Sequence, residues 1–332
     1  MKLALAGFLV LAAAFGALAL PVGTWRTGDQ GLAPLETAPV AQTPPFAQRL
    51  WIDTDAACGH GRRTDPDDCF AIAALAGSAQ FDIIGISTVR GNATLDIVER
   101  TVRELVAQTG RPVPVYAGPA AQQALHAALE KAPLTILALG PLTNVAAVLD
   151  SRPALAARVS RLIAVMGRRP GHIFHPAEGA GGGILFGHGP VFRDFNFALD
   201  PNAAARIVAL HVPLSLVPYD VARGIEITAA DLDRLAAQGG AAAWVAQRAR
   251  PWLDYWRAEI GRQGFYPFDL LAAVYALEPS RFRCTPVRAW VGEDRSMIVP
   301  WRPMALLVEP ATEGAALYCG RARSGLKPIL TS

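Results

Sequence analysis

The chain has 332 residues, of which 52% are hydrophobic, and its 31 basic and 28 acidic residues give a net charge of +3. This length fits one α/β domain of roughly 250–300 residues as well as two smaller domains. No stripe of Lys and Arg is interleaved with aromatic residues, so the composition gives no reason to expect nucleic acid as a partner.

The N-terminus combines a single Lys with an apolar run over residues 3–22. Ala17-Leu18-Ala19 would suit a signal peptidase, but about twenty apolar residues also suffice to cross a bilayer. Residues 1–22 are therefore interpreted as a signal peptide or a retained membrane anchor, and either one predicts export to the periplasm or cell envelope. Residues 23–48, rich in Pro and Thr, are expected to form a flexible linker before a folded domain at 49–328.

Four cysteines occur in this exported chain, namely Cys58, Cys69, Cys284 and Cys319. They allow two disulfides in three different pairings, and the sequence does not choose among these pairings or exclude buried free thiols. No Cys or His spacing supports a zinc site; His172 and His175 resemble a metal pair only superficially.

Short β-type runs alternate with Ala-rich helical stretches from residue 50 onward. The predicted strands are residues 50–52, 83–89, 113–116, 134–139, 162–166 and 214–217. The predicted helices include residues 69–77, 95–109, 142–149 and 201–209. This alternation predicts an α/β fold with a mostly parallel sheet covered on both faces. A long helical region at 229–260, a helix at 270–277 and antiparallel strands at 287–291 and 304–308 are expected to follow.

Several carboxylates surround the first predicted strand and the loop after it. The strand ends in Asp53-Thr54-Asp55, and Asp67-Asp68 opens an apolar helix. Capping of the helix N-terminus explains one of the latter pair but neither Asp53 nor Asp55. Crowded carboxylates repel one another unless a cation or protons compensate, and a divalent cation with oxygen ligands is the simplest remedy. The pattern predicts a metal site, with Ca²⁺ slightly favoured over Mg²⁺.

Seven segments in register resemble the inosine–uridine preferring nucleoside hydrolase family. They are Asp53-Thr54-Asp55 with Asp67-Asp68, Arg90-Gly91-Asn92, Arg111-Pro112 with Val115-Tyr116-Ala117-Gly118, Gly140-Pro141-Leu142-Thr143-Asn144, Val165-Met166-Gly167, Asp194-Phe195-Asn196 with Asp200-Pro201, and Phe268-Asp269. The resemblance covers residues 50–291. It implies a nucleoside-hydrolase-like fold with a Rossmann-like core and calcium-dependent hydrolysis of the N-glycosidic bond of a ribonucleoside or related N-ribosyl compound. A homodimer or a homotetramer would be compatible with it.

The resemblance also implies roles for individual residues. Asp55 would bind Ca²⁺ and act as general base, and Asp53 would orient the other carboxylates. The other implied metal ligands are Asp68, Asp269 and the main-chain carbonyl of Leu139. The implied substrate-binding residues are Asp67, Asn92, Met166, His188, Asp194, Asn196 and Phe268.

The chain departs from the family in its loops and in its leaving-group residue. Eleven residues separate Asp55 from Asp67 where the usual motif has three, so residues 56–66 must bulge outward. Phe268 stands where many members have His and others Trp. Phe cannot donate a proton; it either stacks on the base, which favours purines, or only packs in the core before Asp269. The stretch 167–193 is expected to act as a lid. Within it, Arg168 and Arg169 either face solvent or hold an anionic substrate group. In the loop at residues 56–66, His60 is interpreted as a solvent-exposed histidine.

Two other functions are compatible with parts of the sequence. A haloacid dehalogenase-like phosphatase also begins with a strand ending in DxD, but it would need a following Thr or Val, which Ala56-Ala57 do not supply. A non-catalytic, envelope-anchored protein that binds nucleosides or calcium on a decayed hydrolase fold stays open, because the loop is long and the family His is lost.

Overall fold

The computed structural model describes residues 48–172, 194–296, 303–312 and 316–322. The predicted signal or anchor, and nearly all of the predicted linker, lie outside the described residues. Among the helices described, none is long and apolar enough to cross a membrane.

The strands and helices alternate as the sequence predicts. The strands are β1 (Gln48–Thr54), β2 (Phe81–Thr88), β3 (Val115–Tyr116), β4 (Leu134–Ala138), β5 (Val159–Ala164), β6 (Leu214–Leu216), β7 (Ile227–Thr228), β8 (Gly264–Phe265), β9 (Phe282–Glu293), β10 (Met304–Pro310) and β11 (Ala316–Ala322). The α-helices are α1 (Asp67–Ala76), α2 (Leu95–Gln108), α3 (Pro119–Lys131), α4 (Thr143–Ser151), α5 (Phe195–Leu199), α6 (Pro201–Ala209), α7 (Ala229–Gln238), α8 (Gly240–Tyr255) and α9 (Phe268–Leu277). A π-helical turn, Trp256–Ile260, extends α8, and 3₁₀ turns lie at Pro153–Arg158, Tyr219–Gly224 and Pro279–Arg281.

Nine strands form one sheet in the order β10-β9-β11-β6-β5-β4-β1-β2-β3. The pairs from β3 through β11 are parallel, and β9 runs antiparallel to both β10 and β11. The two short strands β7 and β8 pair separately. The predicted mostly parallel α/β sheet is therefore confirmed, and so is the predicted antiparallel pairing near the C-terminus.

Strand β1 lies between β4 and β2 in the sheet, and its apolar residues are buried on both faces. Leu50 and Ile52 belong to one core cluster with Phe70 of α1, whereas Trp51 packs into a second cluster with Val145 of α4. Successive side chains of a strand point to opposite faces, so one short run serves both cores.

The predicted long helical region at 229–260 is confirmed, and it consists of α7, α8 and the π-helical turn with a break at residue 239. Gly239 and Gly240 have φ angles of 76° and 52°, which are left-handed values that glycine adopts without steric cost. Consequently α7 ends before Gly239 and α8 begins as a separate helix at Gly240.

Both disulfides that the cysteine count allows are formed. Cys58 is bonded to Cys69, which closes residues 56–66 back onto α1, and Cys284 is bonded to Cys319, which joins β9 to β11. The structure selects this pairing among the three that were open, and the free-thiol alternative was wrong.

Candidate active site

The predicted site residues converge at one edge of the sheet. Asp55 follows β1, Leu139 follows β4, and Met166 lies two residues after β5. The carboxyl ends of parallel strands share one edge, and this edge is where α/β sheets bind ligands. Asp67 and Asp269 join them from the first turns of α1 and α9.

These residues surround a cavity of about 430 Å³. Predicted site residues that line it are Asp55, Asp67, Asn92, Leu139, Met166, Asp194, Asn196, Phe268 and Asp269. Lining residues that the sequence did not suggest are Arg63, Asp65, Val165, Phe195, Tyr219, Trp252 and Tyr255. Asp68 is fully buried beside the cavity, and His188 lies outside the described residues.

Asp55 is fully buried and tightly enclosed. The main-chain N–H of Asn92 donates to its Oδ2 at 2.8 Å, while its Oδ1 has no hydrogen-bond partner among the described residues. A Cβ on Gly91 would lie 1.8 Å from Oδ2, and one on Gly140 would lie 3.1 Å from Oδ1. Glycine is therefore required at position 91 for this close approach to Oδ2.

Three buried carboxylates, those of Asp67, Asp68 and Asp269, offer oxygen atoms within 4.8 Å of one another. The hydroxyl of Thr54 donates to Asp68, and the main-chain N–H of Asp269 donates to Oδ2 of Asp67 at 2.7 Å. This last bond ties the first turns of α1 and α9 together.

Burial raises the pKa of each carboxyl in this group, and neighbouring negative charges raise the pKa values of Asp55, Asp68 and Asp269 further. The pKa of Asp68 rises to about 7 through burial and the nearby Asp67, and those of Asp55 and Asp269 rise well above their usual value. Among the described residues, no Lys, Arg or His forms an ion pair with them. An all-oxygen donor set with uncompensated negative charge fits a hard divalent cation.

Asp53 lies behind Asp55 and contacts the protein rather than the cavity. Ser87 and Asn144 donate to its Oδ1, the latter at 2.9 Å, and Asn144 also donates to the carbonyl of Thr88 at 3.1 Å. Burial raises the pKa of Asp53 to about 6, although these hydrogen bonds oppose the shift. This arrangement links β1, β2 and α4 beneath the cavity.

The opposite side of the cavity is formed by Asp194 and Asn196. The N–H groups of Gly167 and Phe197 donate to Asp194 at 2.7 and 3.3 Å, and burial raises its pKa to about 6. The amide of Asn196 donates to the carbonyls of Leu139 and Val165 at 2.6 and 3.1 Å. The carbonyl proposed as a metal ligand thus already accepts one hydrogen bond and keeps a second lone pair.

Arg168 and Arg169 neither face solvent nor line the cavity, so both sequence-based interpretations were wrong. Arg168 forms a buried ion pair with Asp294, and Nη2 of Arg169 lies 3.3 Å from Oδ2 of Asp220. Both side chains are over 90% buried. His172 is also buried, with Nδ1 2.9 Å from Oδ1 of Asp220; His175 lies outside the described residues.

The aromatic side of the cavity includes Phe268, as expected, and three residues that the sequence did not suggest. Phe268 lies edge-on to Tyr266, with ring centroids 6.2 Å apart, and Tyr219, Trp252 and Tyr255 complete this wall. No His is among the described residues that line the cavity. The unexpected aromatic residues come from α8 and a 3₁₀ turn, which carry no local motif.

The sequence matches the family model of the inosine-uridine preferring nucleoside hydrolases over residues 50–128 and 119–315. The chain is 27% identical to a pyrimidine-specific ribonucleoside hydrolase RihA of Citrobacter koseri over 268 residues, 69% of this chain and 80% of that protein. It is 30% identical to the RihA of Enterobacter sp. (strain 638) over 164 residues, which span 49% of this chain and only about half, 47%, of that relative.

Solved structures share the fold. A purine-preferring ribonucleoside hydrolase from Gardnerella vaginalis has a TM-score of 0.67 at 17% identity, covering 85% of this chain and 95% of its own. A plant nucleoside hydrolase has a TM-score of 0.63 at 20% identity, covering 81% and 95%. Since the family model covers most of the sequence, the chain belongs to the inosine-uridine preferring nucleoside hydrolase family, whose members are hydrolases of N-glycosyl compounds.

Proposed function

We propose that the protein hydrolyses the N-glycosidic bond of a ribonucleoside in a calcium-dependent reaction that releases ribose and the free base. The observation that carries this proposal is the convergence of Asp55, Asp67 and Asp269 on one cavity, with no cationic ion-pair partner among the described residues. Cleavage of an N-glycosidic bond develops positive charge on the sugar, and carboxylates fixed beside the sugar stabilise that charge.

The residues present fit a bound Ca²⁺. Asp68 and Asp269 would hold it with Asp55 and the carbonyl of Leu139, and Asp67 is close enough to Asp68 and Asp269 to contribute. When bound, the ion supplies a template for the water and the sugar hydroxyls, and it lowers the pKa of that water.

The chain's own groups would carry the proton transfer and the binding of the sugar. Oδ2 of Asp55 is held by the N–H of Asn92, so Oδ1 is the atom available to accept a proton from the attacking water. Asp67, Asn92, Asp194 and Asn196 would hold ribose hydroxyls, with Met166 against the ring.

We further propose that purine nucleosides are the better substrates. No His is among the described residues that line the cavity, so the departing base would take its proton from solvent. N7 of a purine can accept that proton. The similar proteins do not agree on this point, since the RihA relatives are named pyrimidine-specific and the Gardnerella protein purine-preferring.

The activity is tested by measuring release of reducing sugar from inosine, guanosine, uridine and cytidine, before and after chelation and with Ca²⁺ restored. We expect turnover that chelation abolishes and Ca²⁺ restores, with the purines faster. Turnover that chelation leaves unchanged would contradict the metal, and faster cleavage of uridine would contradict the base preference.

We also propose that the protein works outside the cytoplasm, in the periplasm or cell envelope. Two disulfides support this location because cytosolic thiols are kept reduced. Cell fractionation, followed by alkylation of free thiols in the native protein, tests it. Recovery of the reduced protein from the cytosol would contradict it.

A further inference from the structure

The loop at residues 56–66 contacts α8 and the π-helical turn. The disulfide Cys58–Cys69 closes it, and a Cβ on Gly59 would lie 2.8 Å from Cγ of Arg248, so the loop packs closely on α8. Arg62 and Arg63 both form ion pairs with Glu259 of the π-helical turn. Of this loop, Arg63 and Asp65 line the cavity.

Arg63 stands at the aromatic side of the cavity. Its guanidinium carbon lies 5.4 Å from the ring centroid of Tyr255, and that ring packs on Trp252 with centroids 5.1 Å apart. All three residues line the cavity. Because two arginines share the single carboxylate of Glu259, these three side chains together carry one net positive charge, and the carboxyl of Asp65 lies two residues further along the loop.

Carboxylates line the cavity at the strand ends, at the first turns of α1 and α9, at Asp194 and at Asp65 of the loop. Arg63, which lies beside the aromatic wall, is the single cationic residue among the described residues that line the cavity. Breaking an N-glycosidic bond leaves positive charge on the sugar and negative charge on the base. With the sugar at the carboxylates, the base would extend toward the opposite charge.

We propose that Arg63 contacts the nucleobase and stabilises the negative charge that develops on it during cleavage, an inference that rests on the proposed function. The C1′–N bond breaks with its electron pair moving to the base, and the water oxygen bonds to C1′. Asp55 accepts the proton from that water, and the base takes a proton from solvent. Arg63 keeps its own proton and donates hydrogen bonds to the base, since a guanidinium does not deprotonate in proteins.

The test compares Arg63→Met with Arg62→Met, which changes the neighbouring arginine that shares Glu259 but is not among the described lining residues. Two substrates are used: inosine, and 4-nitrophenyl β-D-ribofuranoside, whose leaving group departs as a stable anion. For Arg63→Met we expect kcat/KM for inosine to fall roughly 10- to 100-fold, as for a lost hydrogen bond to a charged group, and Arg63→Lys to restore part of it. The nitrophenyl riboside should change about threefold or less, and Arg62→Met should affect neither substrate.

A binding measurement separates this inference from the proposed function. Urate is an anionic purine at pH 7.5, and its Kd from calorimetry should rise about tenfold or more in Arg63→Met but not in Arg62→Met. If the wild type hydrolyses neither substrate, the proposed function fails while urate binding still tests Arg63. Equal effects of the two Met variants, an equal loss for both substrates, or a urate Kd that Arg63→Met leaves unchanged would overturn the role of Arg63.

Discussion

The molecule buries charged side chains in two regions, and the two differ in how the charge is balanced. Arg168 is paired with Asp294 and Arg169 with Asp220, so each buried cation has a buried anion beside it. Asp55, Asp67, Asp68 and Asp269 are buried together, and no cation pairs with them among the described residues.

Burying a charge costs free energy that only a compensating charge or proton offsets. The arginine region is complete within the chain, so its role is to hold the end of β5 to the C-terminal strands: Arg168 also joins the main chain of Leu306 and Val308. The carboxylate region has no compensating cation among the described residues, so protons or the proposed Ca²⁺ offset its charge. Balance of buried charge thus distinguishes a structural region from a functional one in this protein.

The largest expected effect is on catalysis, from Asp55→Asn. This change keeps the shape of the side chain but removes the proton acceptor, so we expect kcat to fall by roughly 10²- to 10⁴-fold. The matched control is Asp82→Asn, an exposed residue of β2, which should retain full activity. Initial rates with inosine at saturating Ca²⁺ provide the measurement. If Asp55→Asn kept more than about a tenth of the wild-type rate, Asp55 would not be the general base.

The next effect is on folding, from Arg168→Met. It leaves Asp294 buried without its cation, and loss of one partner from a buried pair costs about 3–5 kcal/mol of unfolding free energy. In the control, Arg288→Met removes an exposed pair with Glu309, for which we expect a change of about 1 kcal/mol or less. Urea denaturation measures the loss of unfolding free energy in both variants. Similar losses would contradict the expectation that breaking the buried ion pair costs more than breaking the exposed one.

The stability of the metal-free protein and the extra stability that Ca²⁺ adds should respond to pH with opposite signs. The metal-free fold binds extra protons because the pKa of Asp68 is about 7 and that of Asp269 is raised, so its stability should fall as pH rises from about 4 through 7. Ca²⁺ at a hundredfold excess over Kd should add about 2.7 kcal/mol, and this gain should shrink at low pH as protons compete. Thermal denaturation at pH 5.5 and 8, with and without chelator, measures it; a Ca²⁺ effect independent of pH would contradict the role of these carboxylates.

The smallest effect concerns the aromatic wall. Phe268→Ala removes a ring that could stack on the base, and an aromatic contact contributes about 0.5–1.5 kcal/mol. We therefore expect kcat/KM for inosine to fall up to about tenfold, with less change for uridine and little in Phe268→Tyr. Equal losses for both nucleosides would indicate that Phe268 only packs against Tyr266.

The sequence predicted most of what depends on local pattern. The central strands follow from short apolar runs, and the carboxylates at strand ends and helix starts follow from fixed motifs. The burial of Arg168 and Arg169 was not predictable, because Asp294 and Asp220 are distant in the sequence and no spacing relates them. Arg63, Trp252 and Tyr255 were missed for the same reason, although cysteines at both ends of the loop, Cys58 and Cys69, were a usable sign that it folds back.

The disulfide between Cys58 and Cys69 closes residues 59–68 into a covalent ring, in which Asp68 is the residue next to Cys69. The entropy of closing such a ring grows only slowly with its length, so residues 60–64 tolerate changes of length at little cost in unfolding free energy. If Arg63 contacts the base as proposed, varying their length and charge changes which leaving groups are accepted, provided that Asp65 is kept, because its Oδ1 accepts from the main-chain N–H of Asp67.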